Sequence, residues 1–198
     1  MKGVNTMKNK KAIVIVAILA VIVIIGGALI SGYNGLVTGR EAVENAESNI
    51  DTYLQRRADL IPNLVSTVKS FAKHETEVFD KVLEARQALV NAKSPEEKAN
   101  ADAQLDTALQ GINVIVENYP ELKSDTTYVA LMDELEGSEN RIAVARKDYN
   151  DTVKDYNNKV IRFPGSIVAN LFGFEKAEYF EASEESLTVP DVGDALGK

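Results

Sequence analysis

The sequence predicts an all-α protein in which a single N-terminal transmembrane helix is followed by an antiparallel helical bundle of three long helices plus a short fourth. Three observations support this fold class. An uncharged apolar run of 19 residues lies near the N-terminus, apolar residues recur at helical spacing along most of the remaining chain, and prolines stand where those helical patterns begin or end.

The apolar run at residues 12–30 is predicted to cross the lipid bilayer. At about 1.5 Å per residue it is about 28 Å long, close to the roughly 30 Å of a bilayer core. A cleaved signal peptide and a buried helix of a soluble protein are the alternatives. Signal peptides have apolar regions of about 7 to 15 residues that end at small residues. The longer run here, which exits through Ala28-Leu29-Ile30-Ser31, favours an uncleaved signal anchor.

The distribution of charge predicts orientation and domain limits. Four lysines precede the run and only Arg40 lies within about 20 residues after it, so the positive-inside bias places the N-terminus in the cytoplasm and the helical domain outside the cell membrane. We therefore divide the chain into a short basic cytoplasmic N-terminus at 1–11, the anchor at 12–30, a helical-bundle domain at 31–181 and a poorly ordered acidic tail at 182–198.

The composition of the part after the anchor excludes several classes of function. Its 30 acidic residues outnumber its 18 basic ones, a formal charge of −12, so no nucleic acid partner is expected. The same charge opposes lying flat on anionic lipid. The chain has no cysteine, which removes disulfides and thiol catalysis.

The first helix of the bundle is predicted from the membrane to about Asn91, with apolar residues such as Ile50, Ile61 and Leu64 facing the core. Pro62 lies inside it and is expected to kink or break it, because proline lacks an amide N–H and clashes with the carbonyl of the residue four before it. Neighbouring Asp59 and Asn63 are candidates for satisfying the freed backbone groups.

The second and third helices have clear ends. Ser94-Pro95-Glu96-Glu97 predicts a helix start with a capping box, and this helix stops at Pro120. Apolar residues recur every seven positions from Tyr128 to Phe163, before Pro164. Because the connections are short, the helices are expected to pack antiparallel.

A short apolar helix is predicted at residues 167–172, with Ser166 as N-cap and Gly173 after it. It is apolar enough to lie in the membrane interface. In an up-down-up bundle, however, the third helix ends far from the bilayer, so we expect this helix to be a lid or partial fourth helix on the bundle.

Two groups of residues in the bundle are candidates for structural or interaction roles. Tyr149-Asn150 and Tyr156-Asn157 repeat at one heptad, which is more typical of an aromatic seam in the core than of a ligand site. The second group predicts either a buried charge pair with a kink or a hinge that faces another protein, and comprises Arg56, Arg57, Asp59, Pro62 and Asn63.

Nothing in the sequence predicts catalysis. His74-Glu75 contains the only histidine, and a zincin would need a second histidine where Val78 stands. A single histidine does not make a metal triad, and no carboxylate pair stands out. We expect no enzyme activity, no metal and no cofactor.

The residues nevertheless resemble a known family, the LemA family of bacterial membrane proteins. The resemblance covers about residues 30 to 181 and rests on Tyr33-Asn34-x-Leu36-Val37, Arg56-Arg57-x-Asp59-Leu60-Ile61-Pro62-Asn63-Leu64-Val65, Ala72-x-His74-Glu75, Tyr119-Pro120, Glu139-Asn140-Arg141-Ile142, Tyr149-Asn150, Tyr156-Asn157 and Phe163-Pro164. It adds Arg141 to the candidate residues. Tyr53 departs from the family pattern, which more often has a small or aliphatic residue there.

The resemblance implies a helical bundle on one membrane span with no established enzymatic activity. It also implies, as possible partners, membrane zinc proteases of the HtpX type or TPM-domain proteins. We therefore expect a membrane-anchored interaction or scaffold module that presents an acidic, tyrosine-lined surface including Arg57 and Tyr149. The alternatives are a homo-oligomeric structural protein that organises the membrane surface, using Gly27, Ser31 and Gly35, and a hydrolase built on carboxylates, tyrosines or asparagines.

Overall fold

The computed structural model describes the backbone of residues 3–181 and the side chains of residues 13–181. The predicted tail lies outside the described residues. The helices are α1 (Gly3–Phe71), α2 (Thr76–Asn91), α3 (Pro95–Asn118), α4 (Pro120–Lys123), α5 (Thr126–Ile161) and α6 (Gly165–Phe172). The described part of the chain contains no strand, which confirms the all-α class.

The first helix ends much earlier than predicted. α1 runs without interruption from the apolar run into the bundle and stops at Phe71, and residues 72–75 form a turn before α2. The prediction of one helix to Asn91 was therefore wrong. Phe71 and Val78 are seven residues apart, so the apolar spacing continues through the turn, and neither glycine nor proline marks it. The turn adds one chain reversal to those predicted.

The helix also continues through Pro62, so the predicted break there is absent. The carbonyl oxygen of Ala58, which lacks its usual amide donor because Pro62 has none, accepts a hydrogen bond of 2.8 Å from Nε of Arg86. This corrects the expectation for Asp59 and Asn63, which are both exposed. A side chain of α2 thereby satisfies the backbone of α1.

The chain forms two compact units. Among the described residues, the anchor unit comprises 3–43 together with 152–177, and the bundle unit comprises 44–151 together with 178–181. The buried core of the bundle unit includes Ile50, Leu54, Ile61, Leu64, Val68, Phe79, Val82, Leu105, Ile112, Leu122, Leu135, Ile142 and Tyr149. The buried residues of the anchor unit include Leu36, Val153, Tyr156, Val160, Val168 and Ala169.

The predicted capping box of α3 is confirmed. Ser94 Oγ accepts a hydrogen bond from the amide of Glu97 at 3.1 Å, and the Glu97 carboxylate accepts from the amides of Lys93 and Ser94. These two backbone hydrogen bonds lower the pKa of Glu97. The start of α3 is therefore fixed by its own sequence.

The short helix α6 differs from the prediction both in its first residue and in its position. It starts at Gly165, so Ser166 is inside it and does not cap it, whereas Gly173 ends it with φ +73°, as predicted. In the anchor unit α6 packs on α1, where a Cβ added to Gly32 would lie 3.0 Å from Val168. The expectation that α6 lies far from the span was wrong, because the prediction counted one reversal too few.

Candidate functional site

A buried ionic cluster joins three helices inside the bundle unit. Arg57 of α1 is only 3% exposed and donates hydrogen bonds to Asp102 and Asp106 of α3 and to Glu139 of α5, the last at 2.7 Å. Asp102, 1% exposed, accepts from Arg57 with one oxygen and from Arg146 of α5 with the other. Asp102 therefore bridges two guanidinium groups within the core.

Three carboxylates face two guanidinium groups in this cluster. Burial opposes the charge on Arg57, but attraction to Asp102, Asp106 and Glu139 outweighs it and raises the pKa of Arg57. Burial, with repulsion from Asp102 and Asp106, outweighs the attraction of Arg57 and raises the pKa of Glu139. The Nε atoms of Arg57 and Arg146 are buried without a hydrogen-bond partner among the described residues.

The three carboxylates of the cluster also have the spacing of a metal site. One oxygen each of Asp102, Asp106 and Glu139 lies within 4.8 Å of the others. However, the Arg57 guanidinium donates to all three, so a cation could bind only by displacing it. The arrangement fits an ion-pair network that ties α1, α3 and α5 together.

A second buried cation, Lys98, was missed by the sequence analysis. Its ammonium group contacts Glu47 at 2.9 Å and Asp51 at 2.6 Å, so it connects α3 to α1. Burial opposes the charge of Lys98, but the two carboxylates outweigh it and raise the pKa of Lys98. Glu47 and Asp51 lie four residues apart on one helix face, and this spacing was the only signal in the sequence.

The first Tyr-Asn pair holds the non-helical segment after α6. In the bundle unit, Asn150 donates through Nδ2 to the carbonyl of Phe180 at 2.9 Å and accepts at Oδ1 from the Phe180 amide at 2.8 Å. The Tyr149 hydroxyl donates to the carbonyl of Glu178, and burial raises the pKa of Tyr149 to about 12. The Phe180 ring lies under the guanidinium of Arg146, 4.6 Å from its centre.

The second pair repeats this arrangement in the anchor unit. Asn157 makes the same two hydrogen bonds to the backbone of Ala177, at 2.9 and 2.8 Å. Tyr156 is buried, and a Cβ at Gly39 would lie 3.0 Å from its ring. The tyrosines thus belong to the core, whereas the asparagines bind backbone, a role that the sequence analysis did not identify.

The other candidate residues are not brought together. Arg56 pairs with Glu134 at 3.1 Å, with half of each side chain exposed. Asp59, Pro62 and Asn63 are exposed on α1, and His74 and Glu75 lie in the turn at 72–75. Arg57 and Tyr149 are buried, so neither can contribute to an exposed recognition surface.

An open groove between α1 and α5 gathers exposed polar residues of the bundle unit. Its volume is about 510 Å³, and its lining includes Asn49, Tyr53, Asn140 and Arg141. Arg141 is exposed and makes no hydrogen bond or ion pair with any described residue. This groove, rather than the buried cluster, is accessible to another molecule.

Several known proteins are similar to this chain in sequence. A sequence profile of the LemA family matches residues 46–193. Magnetosome protein MamQ 2 of Paramagnetospirillum magneticum is 30% identical over 93% of this chain and 78% of its own length. Magnetosome protein MamQ of Magnetospirillum gryphiswaldense is 27% identical, over 85% and 72%. Protein LemA of Metamycoplasma hominis is 26% identical, over 76% and 69%.

Proposed function

The chain belongs to the LemA family, and from this premise we propose that it is a membrane-anchored interaction module without catalysis of its own, which binds an integral membrane protein. Among the described residues, one helix is long and apolar enough to cross a membrane by length and composition, and it is the helix that contains the predicted anchor. The chain is therefore a membrane-associated helical protein.

The observation that carries the proposal is where the polar residues of the bundle unit lie. Some are buried and hold helices together, whereas others line an open groove at the surface. The buried charges, Arg57, Asp102 and Lys98, are all engaged in ion pairs between helices of the bundle unit. The carboxylates around Arg57 and Lys98 raise the pKa values of both cations, so these two groups hold their protons more firmly than usual and are poorly suited to proton transfer. The names of the related proteins likewise refer to no enzymatic reaction.

The open groove is the surface that we assign to the partner. Tyrosine and arginine are the residue types most enriched at the energetic centres of protein interfaces. Tyr53 and Arg141 both line the groove, and Arg141 has no described partner to give up on binding. A partner that places a carboxylate against Arg141 and an apolar side chain against Tyr53 would suit this surface. Membrane zinc proteases of the HtpX type and TPM-domain proteins are the partners that we propose to test.

The proposed topology places the N-terminus in the cytoplasm and the bundle unit outside. Protease added to intact spheroplasts should then remove the bundle unit. If the bundle unit is cut only after the membrane is permeabilised, the orientation is the reverse.

The direct test of the partner is purification of the tagged full-length protein from native membranes, with identification and mass measurement of what co-purifies. The Arg141→Ala variant should lose the partner by at least about tenfold, as expected for an interface centre. Lys147→Ala is the matched control, because Lys147 lies on the same helix and is exposed in a pair with Asp151. Equal recovery of the partner by both variants would show that the groove is not the binding surface.

A second candidate function, a homo-oligomeric protein that organises the membrane surface, is favoured by one observation. A Cβ added to Gly27 or Gly35 would meet nothing within 4 Å, so both glycines are open for close approach of another helix. Co-purification of this chain alone, in a complex of several copies, would support this function over the adaptor.

A further inference from the structure

The short helix α6 exposes more apolar surface than a helix in water would be expected to keep. Ile167, Leu171 and Phe172 are all more than half exposed, and Phe163, just before α6, is 81% exposed. Contiguous exposed apolar residues of this kind mark a binding surface. The helix itself, Gly165–Phe172, contains no charged residue.

The contacts inside the anchor unit place α6 at the end of the predicted span. Val168 lies against Gly32, where an added Cβ would be 3.0 Å away. The Tyr33 ring packs edge-on against Phe172 and Phe174, with centroids 4.9 and 5.6 Å apart. Gly32 and Tyr33 follow the last apolar residue of the span, Ile30, by only two and three positions.

The number of residues between the end of the span and these contacts gives the depth of α6 in the bilayer. Two to three residues of helix rise about 3 to 4.5 Å. The polar interface of a bilayer is about 5 to 7 Å thick on each side of its hydrocarbon core. If residues 12–30 fill the core, α6 lies within that interface, beside the end of the span.

The two sides of α6 suit this position. Val168 and Ala169 are buried within the anchor unit, and Ile167, Leu171 and Phe172 are exposed on the remaining surface. Charged residues lie outside the helix, with Arg162 exposed before it and Glu175 and Lys176 exposed after it. An apolar face with the charged residues confined to the two ends is typical of helices that lie in the membrane interface.

We propose that α6, together with Phe163, is an interfacial membrane helix that inserts its exposed apolar side chains into the bilayer crossed by α1. The occupant of the apolar surface is phospholipid, at the boundary between glycerol and acyl chains. Its continuity with the apolar surface of the span favours lipid over a second copy or another protein. The inference is independent of the proposed partner, because it concerns residues of the anchor unit and not the open groove.

The sequence offers a clean test because it contains no tryptophan. A single tryptophan is introduced as Phe163→Trp or Leu171→Trp in the full-length protein, which is reconstituted in phosphatidylcholine vesicles with or without brominated acyl chains. Val144→Trp is the negative control, because Val144 is an exposed apolar residue of the bundle unit. Ile22→Trp, within the span, is the positive control for insertion.

Brominated lipid should quench about half or more of the emission of the Phe163→Trp and Leu171→Trp variants, approaching the Ile22→Trp control. The Val144→Trp variant should be unaffected. Quenching of both α6 variants no greater than that of Val144→Trp would overturn the proposal. The proposal would also be overturned if brominated lipid did not quench the emission but the emission wavelength shifted as the ratio of protein to lipid was raised. That result would indicate that a second copy of the chain covers α6. Two reporter positions ensure a result if one variant does not fold.

Discussion

Replacement of Arg57 by alanine should destabilise the bundle far more than replacement of its neighbour Arg56. Removing Arg57 leaves Asp102, which is almost fully buried, with Arg146 as its one remaining cationic partner among the described residues. Breaking a buried ion pair by removing one partner costs about 3 to 5 kcal/mol when the remaining charge is uncompensated, and because Arg146 still pairs with Asp102, Arg57→Ala should cost about 3 kcal/mol, the lower end of that range. The contacts of Arg57 with Asp106 and Glu139 add little, because those carboxylates are 40 to 50% exposed.

The matched control comes from the adjacent position. Arg56 pairs with Glu134, and both side chains are 52% exposed, so Arg56→Ala should cost no more than about 1 kcal/mol. The free energy of unfolding is measured from urea titrations of the full-length protein in mild detergent, followed by circular dichroism. Equal losses for the two variants would refute the assignment of a buried ionic cluster.

A double substitution separates the ion pair from simple packing. Combined with Asp102→Asn, Arg57→Met should cost less than the sum of the two single changes, because residue 102 then carries no buried negative charge that Arg57 must help to balance. Additive costs would mean that Arg57 contributes by packing alone, and that its contact with Asp102 has no energetic weight.

Three further predictions follow from single contacts. Arg86→Met should lower the free energy of unfolding by about 1 to 3 kcal/mol, because it leaves the Ala58 carbonyl without a donor. In a Pro62→Ala background, where residue 62 again supplies an amide, the same change should cost much less. Urea unfolding with and without Arg86→Met, in each background, measures the two costs. The fold favours the neutral Tyr149 phenol, so the free energy of unfolding should fall as the pH rises from about 10 towards 12. In a pH titration followed by tyrosinate absorbance, Tyr149 should ionise in the final step, and Tyr149→Phe should remove that step. Gly173→Ala, at a φ of +73°, should cost about 1 kcal/mol and speed hydrogen exchange in α6, whereas unchanged exchange would contradict the left-handed helix end.

The features that the sequence predicted are those encoded by local patterns. The predicted heptad does not extend to Phe163, which lies beyond the end of α5 and is 81% exposed. It does place Tyr149 and Tyr156 in the core, and the capping box at Ser94 starts α3. Both depend only on residues within a few turns of helix, where spacing determines which side chains share a face.

The features that it did not predict depend on contacts between distant parts of the chain. The turn at 72–75 has no glycine or proline and does not interrupt the apolar spacing. The donor to Ala58 is Arg86, 28 residues away, and the partners of Lys98 lie about twice as far. The position of α6 depended on the number of chain reversals, so one missed turn was enough to misplace it.

The asparagine contacts of α5 do not depend on the side chains of the residues that they hold. Asn150 and Asn157 each bind one amide and one carbonyl of the main chain, and every amino acid except proline supplies both. Substitutions at Ala177 other than proline can therefore accumulate over evolution without breaking these contacts, whereas Phe180 is also held by its buried ring, which packs against Tyr149 and Arg146. The two asparagines cannot drift in the same way, since a leucine there would pack similarly but could neither donate nor accept.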